Sequence, residues 1–257
     1  MSNIVDGRVP KPLVYREAVR VGSAQIGGKA WSVAKLAELG IRVPEGCVLP
    51  ADMWELIQNS PDPVIASRQA AATIVSTLSA RRYVVRSSAV GEDSATGSWA
   101  GCFESVINVP REQLGEAILT CGNSLYSRRV RMYRTLRPQL APVNRIGILV
   151  QEYIYSTWNG VCFSADPLTG DCDRMAIEYL ENAAGAVVQG SGIPKTITVQ
   201  KGRPVSCAGN SIPEVRLKEL VDTVTQIERC WKTPVDVEWL ITPECLYIVQ
   251  ARPITTI

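Results

Sequence analysis

"PVDVEWLITPECLYIVQARPITTI", residues 234–257, holds two runs in which apolar and polar residues alternate. In the first, Val235, Val237, Trp239 and Ile241 share one face while Asp236 and Glu238 share the other, the period of two that a half-buried strand shows. In the second, Leu246, Ile248, Gln250 and Arg252 share a face. A three-residue turn at Pro243, Glu244 and Cys245 sets Glu238 opposite Gln250 and Asp236 opposite Arg252, all pointing the same way. A carboxylate beside an amide oxygen suits a hard cation such as Mg²⁺, which takes oxygen ligands and keeps waters or substrate phosphates. Arg252, one pair along, carries the planar fork that fits phosphate oxygens. The plain alternative is a half-exposed hairpin whose opposed charges stabilise the pairing by about 0.2–1 kcal/mol.

Working back from this hairpin, helix and strand patterns are mixed. "GGKAWSVAKLAELG" (27–40) has Trp31, Val33, Ala34, Leu36, Ala37 and Leu39 at the spacing of an amphipathic helix that stops at Gly40, and the following "IRVPEGCVL" is β-like. Further helices are expected over Pro63–Ser79, through "EQLGEAILTCGNSLYSRRVRMYRTL" (112–136), and over Glu214–Trp231. "RRYVVRSSA", "FESVINV", "IGILVQEYI", "NGVCFSAD" and "TITV" read as strands. The mixture predicts an α+β protein in two lobes with mixed or antiparallel sheets, residues 1–150 and 151–257.

Bulk properties exclude more than they assign. With 46% apolar and 20% charged residues, 257 residues make an ordinary globular protein able to bury a sizeable core. A net charge of +2 gives no reason to invoke nucleic acid or a membrane surface. No apolar run reaches the length of a spanning helix and the start shows no signal-peptide pattern. The eight cysteines form no C-x-x-C pair, which argues against zinc and for reduced thiols in a cytoplasmic protein. The sequence contains no histidine at all. It therefore has no imidazole base, no histidine metal ligand and no phosphohistidine of its own.

Several shorter pieces carry possible chemistry. "GEDSATGSWAG" (91–101) is rich in the glycine and serine whose backbone N–H groups can cradle phosphates, although most such stretches are only loops. "VGSAQIGGKA" resembles a P-loop but fails its test: Gly22 to Lys29 is one residue too long, and Ala30 stands where Ser or Thr should hold a metal. Lys29 at a helix start can still meet a phosphate as a point charge, against the plainer reading of a solvated lysine. Arg86 ends an apolar strand beside the glycine-rich loop. In "SRRVRMYRTLR", Arg128, Arg131 and Arg134 fall on one helical face, a pattern better explained by a solvated face than by nucleic acid.

Taken in order, these pieces resemble the nucleotide-binding domain of the pyruvate phosphate dikinase and phosphoenolpyruvate synthase family, which rifampin phosphotransferase and the glucan, water dikinases also carry. The specific elements are "VRSSAVGEDSATGSWAG" and "DVEWLITPECLYIVQARP", with "VQEYI" and "GVCFSADPLTG" between them; the likeness runs from about residue 21 to residue 257. The resemblance implies an ATP-grasp fold, in which two α+β lobes close on ATP. It implies that Lys29 and Arg86 contact the phosphates and that the loop Ser98, Trp99, Ala100 and Gly101 folds over them. It also implies that Gln151, Tyr153 and Ile154 offer backbone hydrogen bonds to adenine, that Glu238 and Gln250 hold Mg²⁺, and that Arg252 meets the phosphates. Lys29, Arg86 and Arg252 are then the catalytic cations.

Two departures qualify that picture. Complete family members carry a swivelling domain whose histidine takes the β-phosphoryl group of ATP, and this sequence ends where the family's ATP domain ends. The implied role is an ATP-binding component that passes the β-phosphoryl group to a histidine on a separate carrier protein or domain, with a small-molecule acceptor downstream. Alternatives are a stand-alone kinase acting directly on a small molecule, or a nucleotide-binding module with impaired catalysis. The second departure lies in "ENAAGAVVQG": where relatives read Gly-Leu-Gly-Glu, this chain has Asn182-Ala183-Ala184-Gly185. Either the missing carboxylate is dispensable, or Glu178 or Glu181 substitutes, or nucleotide chemistry is altered.

Overall fold

The computed structural model describes residues 11–94, 97–99, 101–181, 193–203 and 211–254. The chain divides into two compact units, residues 1–38 with 45–153, and residues 39–44 with 154–257.

The first unit runs β1 (Leu13–Val14), α1 (Tyr15–Val21), α2 (Ser23–Ile26), α3 (Gly28–Glu38), β2 (Gly46–Leu49), α4 (Ala51–Gln58), α5 (Pro63–Thr77) and β3 (Arg82–Ala89). It continues with the short strands β4 (Asp93–Ser94) and β5 (Gly97–Ser98), then β6 (Ser105–Pro110), α6 (Leu114–Asn123), α7 (Arg128–Leu136) and β7 (Ile146–Glu152). Its sheet has the order β1-β2-β7-β3-β6 with every pairing antiparallel. Alternation along β3 decides the layering. Tyr83, Val85 and Ala89 join Trp54, Ile74 and Ile118 in a core beneath α4, α5 and α6. Arg86 and Ser88 point to the other face, where α3 packs on β3 and β7. Glycines permit that second layer to sit close: a Cβ on Gly147 of β7 would lie 2.7 Å from the Ile26 carbonyl oxygen.

The expected single helix over 112–136 is in fact broken. Hydrophobic spacing carries Leu114, Ile118, Cys121 and Leu125 into the core, but α6 itself stops at Asn123. Ser127 then turns the chain into extended backbone and caps α7, its hydroxyl accepting from Val130 N–H at 3.2 Å. α5 starts as the sequence implies: Asp62 accepts from Val64 N–H and Ile65 N–H, and Pro63 occupies the first helical position. Absent from the sequence expectation were α1, α2 and α4, all of eight residues or fewer. The glycine-rich stretch is more than a loop, since its described part forms the β4–β5 pair.

The second unit is β8 (Trp158–Phe163), β9 (Arg174–Glu181), β10 (Lys195–Gln200), α8 (Glu214–Trp231), β11 (Val235–Ile241) and β12 (Leu246–Pro253). Its sheet has the order β10-β9-β8-β11-β12, again with every pairing antiparallel. Leu217, Leu220, Val224 and Ile227 form the buried stripe of α8 at helical spacing, and α8 packs on β11 and β12. Fully burying one such side chain contributes roughly 1.5–3 kcal/mol. Val235, Val237, Trp239 and Ile241 are buried on β11 as their alternation required. Among the described residues no helix is long and apolar enough to cross a membrane. Both units are α+β.

Candidate functional site

The hairpin of β11 and β12 realises the pairing that matters, though by a different route. The loop is Thr242 to Cys245, with Thr242 N–H bonded to the Cys245 carbonyl at 2.9 Å, and next to it Ile241 pairs with Leu246 and Trp239 with Ile248. A register shift follows between Glu238 and Trp239, leaving Val249 as the extra residue of a β-bulge. Beyond it Glu238 pairs with Gln250 and Asp236 with Arg252. The single face expected for Leu246, Ile248, Gln250 and Arg252 is therefore wrong. Leu246 and Ile248 are buried opposite Ile241 and Trp239, and the bulge turns Gln250 and Arg252 to the face of Glu238 and Asp236.

On that face the register extends across the sheet. Glu238 is flanked by Gln250 on one side and Val161 on the other, and Val161 pairs in turn with Glu178 of β9. Glu178 thus occupies the same row as Glu238, two strands away. Glu181 lies on the opposite face of β9, where Lys195 Nζ and the Ser211 hydroxyl both bind its carboxylate. The hydrogen bonds from Lys195 and Ser211 hold the Glu181 carboxyl below the usual range. Of the two substitutes considered for the missing carboxylate, only Glu178 faces the row. Asn182 to Gly185 lie outside the described residues.

Arg252 is engaged by its cross-strand neighbour. Its Nε donates to Asp236 Oδ2 at 2.8 Å, and Nη2 lies 2.7 Å from the same oxygen. The Asp236 side chain is 10% exposed and that of Arg252 36%, so the carboxylate is the more enclosed partner. Gln250 is buried and Glu238 half-buried. Among the described residues no group of three His, Cys, Asp or Glu is placed to hold a metal unaided. One carboxylate with one amide oxygen fits a cation that takes its remaining oxygens from water and phosphate, as Mg²⁺ does.

In the first unit, Lys29 sits at the start of α3 and is not the solvated lysine of the plain reading. Its ammonium forms an ion pair with Glu92, with side-chain exposures of 15% and 3%. The α3 terminus is fastened to β3, since Ala30 N–H donates to the Ser88 hydroxyl at 2.9 Å. Arg86, two residues before Ser88 on the same face, is buried. Gln151 lies on this face as well, paired with Val84 and Gly46. Its side-chain amide donates to the Tyr15 hydroxyl at 3.1 Å, and burial pushes the Tyr15 phenol far above its ordinary range. Gly46 leaves room for the Tyr15 ring, because any Cβ there would collide with the phenol oxygen.

The adenine expectation meets a definite arrangement at the end of β7. Tyr153 N–H donates to the Arg82 carbonyl at 2.9 Å, so that donor belongs to the sheet, and Ile154 follows as the first residue of the second unit's longer segment. In the glycine-rich stretch, Trp99 N–H bonds to the Glu92 carbonyl and its indole is buried against Phe103 and Tyr133. Gly101, at φ 74°, sits in the turn closed by Cys102 N–H on the Trp99 carbonyl. The Ser98 side chain and Ala100 lie outside the described part. The basic run on α7 works locally: Arg129 donates to the Gly101 carbonyl at 3.2 Å, Arg131 to Tyr126 and Arg134 to Val143. Those arginines staple loops. Glu92 and Tyr15 were missed by sequence reasoning; an acidic residue opening a glycine-rich loop was the available sign for the former, and nothing marked the latter.

Residues 61–211 and 202–257 match the model of the pyruvate phosphate dikinase AMP/ATP-binding domain. The chain belongs to that family. A Streptomyces rifampicin phosphotransferase is 26% identical over 92% of this chain and 35% of its own length. A probable phosphoenolpyruvate synthase from Archaeoglobus fulgidus is 30% identical over 67% of this chain and 27% of its own length. The chain spans about a third of the length of the curated relatives it matches. Among solved structures, that of PH1788 from Pyrococcus horikoshii covers 93% of this chain and is itself 97% covered, at a TM-score of 0.48 and 12% identity, a remote likeness on which the assignment does not depend. The β11–β12 hairpin lies within the matched residues, whereas Lys29 precedes them.

Proposed function

We propose that this chain is the ATP-binding component of a dikinase-type phosphotransferase with an ATP-grasp fold. It cleaves ATP and passes the β-phosphoryl group to a histidine on a separate carrier protein or domain. The observation that carries the reading is the register of Glu238 with Gln250 and of Asp236 with Arg252 on one sheet face, in a member of the dikinase ATP-binding family. Because the sequence holds no histidine, the imidazole that accepts the phosphoryl group lies outside it.

Glu238 and Gln250 hold Mg²⁺, which when bound offsets negative charge on phosphate oxygens. Lys29 and Arg86 bring cationic charge to the triphosphate, and the glycine-rich loop folds over it. Arg252 meets the phosphates while Asp236 holds its guanidinium in place. Ile154 meets the adenine through its backbone. Phosphoryl transfer asks little covalent chemistry of a protein, so positioning and charge supply most of the rate. No general base in this chain is needed when the incoming imidazole is neutral. Incubation with β-labelled ATP, Mg²⁺ and a histidine-bearing carrier should label the carrier and release AMP. Label found only on this chain, or on a small molecule without any carrier, overturns the scheme.

A further inference from the structure

We infer that Glu92 sets nucleotide affinity by occupying Lys29 in the place a phosphate oxygen takes when ATP binds; this rests on the function proposed above. Lys29 is the cation best placed to meet the triphosphate from α3, yet its ammonium already holds the Glu92 carboxylate. At 3% side-chain exposure Glu92 has no ready way to surrender that contact to water. A buried ammonium and carboxylate stabilise one another chiefly because each would be strongly penalised alone. Phosphate arriving at Lys29 therefore either displaces the carboxylate or shares the ammonium with it, and in both cases one anion is brought against another in a region of low dielectric. Glu92 opposes the ligand that Lys29 attracts.

The same residue ties that competition to the glycine-rich hairpin. The Glu92 carbonyl accepts Trp99 N–H at 3.1 Å, closing the base of the β4–β5 pair, and the Trp99 indole is locked in the core. Glu92 is thus anchored through its backbone to the hairpin and through its side chain to α3. Removing its charge while keeping its shape tests the idea.

With Glu92→Gln, the affinity for Mg²⁺-ATP measured by calorimetry should rise about tenfold, the loss of one charge-assisted competitor. The unliganded variant should melt lower than the native chain, and saturating ATP should raise its melting temperature by more than it raises the native one. On a Lys29→Met background the same Glu92→Gln change should raise affinity by less than it does in the native chain, because the competition for the ammonium is gone. A merely structural Glu92 gives the opposite sign, with weaker binding in the single variant. Unchanged or weaker binding overturns the inference. If Glu92→Gln fails to fold, Glu92→Asp keeps the charge but shortens its reach, and it should bind ATP more tightly than the native chain; equal or weaker binding there also overturns it. Native protein that binds no ATP defeats the proposed function itself, whereas native binding without the tightening defeats only the role of Glu92.

Discussion

Replacing Gly27 by alanine measures how firmly Lys29 is built in. Gly22 and Gly27 adopt almost the same backbone, φ 79° with ψ 164° and φ 78° with ψ 168°, each closing a helix. That region is essentially reserved for glycine, and a side chain there costs about 1–3 kcal/mol. The two positions differ in their surroundings. A Cβ at Gly22 meets nothing within 4 Å, whereas one at Gly27 overlaps the Ser88 carbonyl. Ser88 lies in β3 and pairs with Gly147 of β7, so the obstacle is backbone in a sheet interior and yields only if the sheet or α3 shifts. Overpacking of this kind adds roughly 1–3 kcal/mol. Gly22→Ala should therefore destabilise by about 1–3 kcal/mol and Gly27→Ala by about 2–6 kcal/mol, a large share of the roughly 5–15 kcal/mol that holds a domain folded. Urea unfolding followed by tryptophan fluorescence reads both. ATP titration should then show weakened binding for Gly27→Ala alone, since only that change displaces the Ala30–Ser88 hydrogen bond and Lys29 with it. Equal destabilisation of the two variants, or unimpaired ATP affinity in a folded Gly27→Ala, refutes the argument.

Glu238→Ala should lower apparent Mg²⁺ affinity in ATP turnover by about 10–100-fold, checked by metal titration. Arg252→Ala behaves differently, because it removes two charge-assisted contacts to Asp236 Oδ2: a loss of about 1–3 kcal/mol in urea unfolding should accompany the loss of turnover. Burial pushes the Cys47 and Cys121 thiols up to about 12, so at pH 8 both stay protonated and unreactive. Site-resolved mass spectrometry after brief alkylation should find label on exposed Cys172 and Cys230 and none on Cys47 or Cys121 until denaturant is added.

Periodicity made much of this fold readable. The stripe of α8 and the alternation of β11 are strong because each sets an apolar face against a polar one, and both lie where the pattern puts them. The hairpin is more instructive. Counting from a three-residue turn puts Glu238 opposite Gln250, and so does the real chain, but only because a loop one residue longer is offset by the bulge at Val249. Alternation cannot reveal a bulge, since the inserted residue leaves apolar and polar residues in an equally acceptable order. The break at Ser127 escaped for a related reason: helix formers continue on both sides, and the decisive contact is one hydroxyl on Val130 N–H. The bond of Arg252 to Asp236 was legible as an opposed pair, because the two residues fall in one register on one sheet face. Glu92 stayed hidden because its partner lies 63 residues away.

Residues 39–44 belong with the second unit although they are encoded ahead of most of the first. There, Ile248 N–H donates to the Arg42 carbonyl at 2.9 Å, Arg42 Nη1 meets the Cys245 sulfur, and its guanidinium stacks on Tyr247. A ribosome thus delivers the edging of this hairpin some two hundred residues before the hairpin itself. Dissecting the gene at residue 153 would strip the downstream fragment of its own selvedge, so any attempt to express the second unit in isolation should graft that early hexapeptide back on.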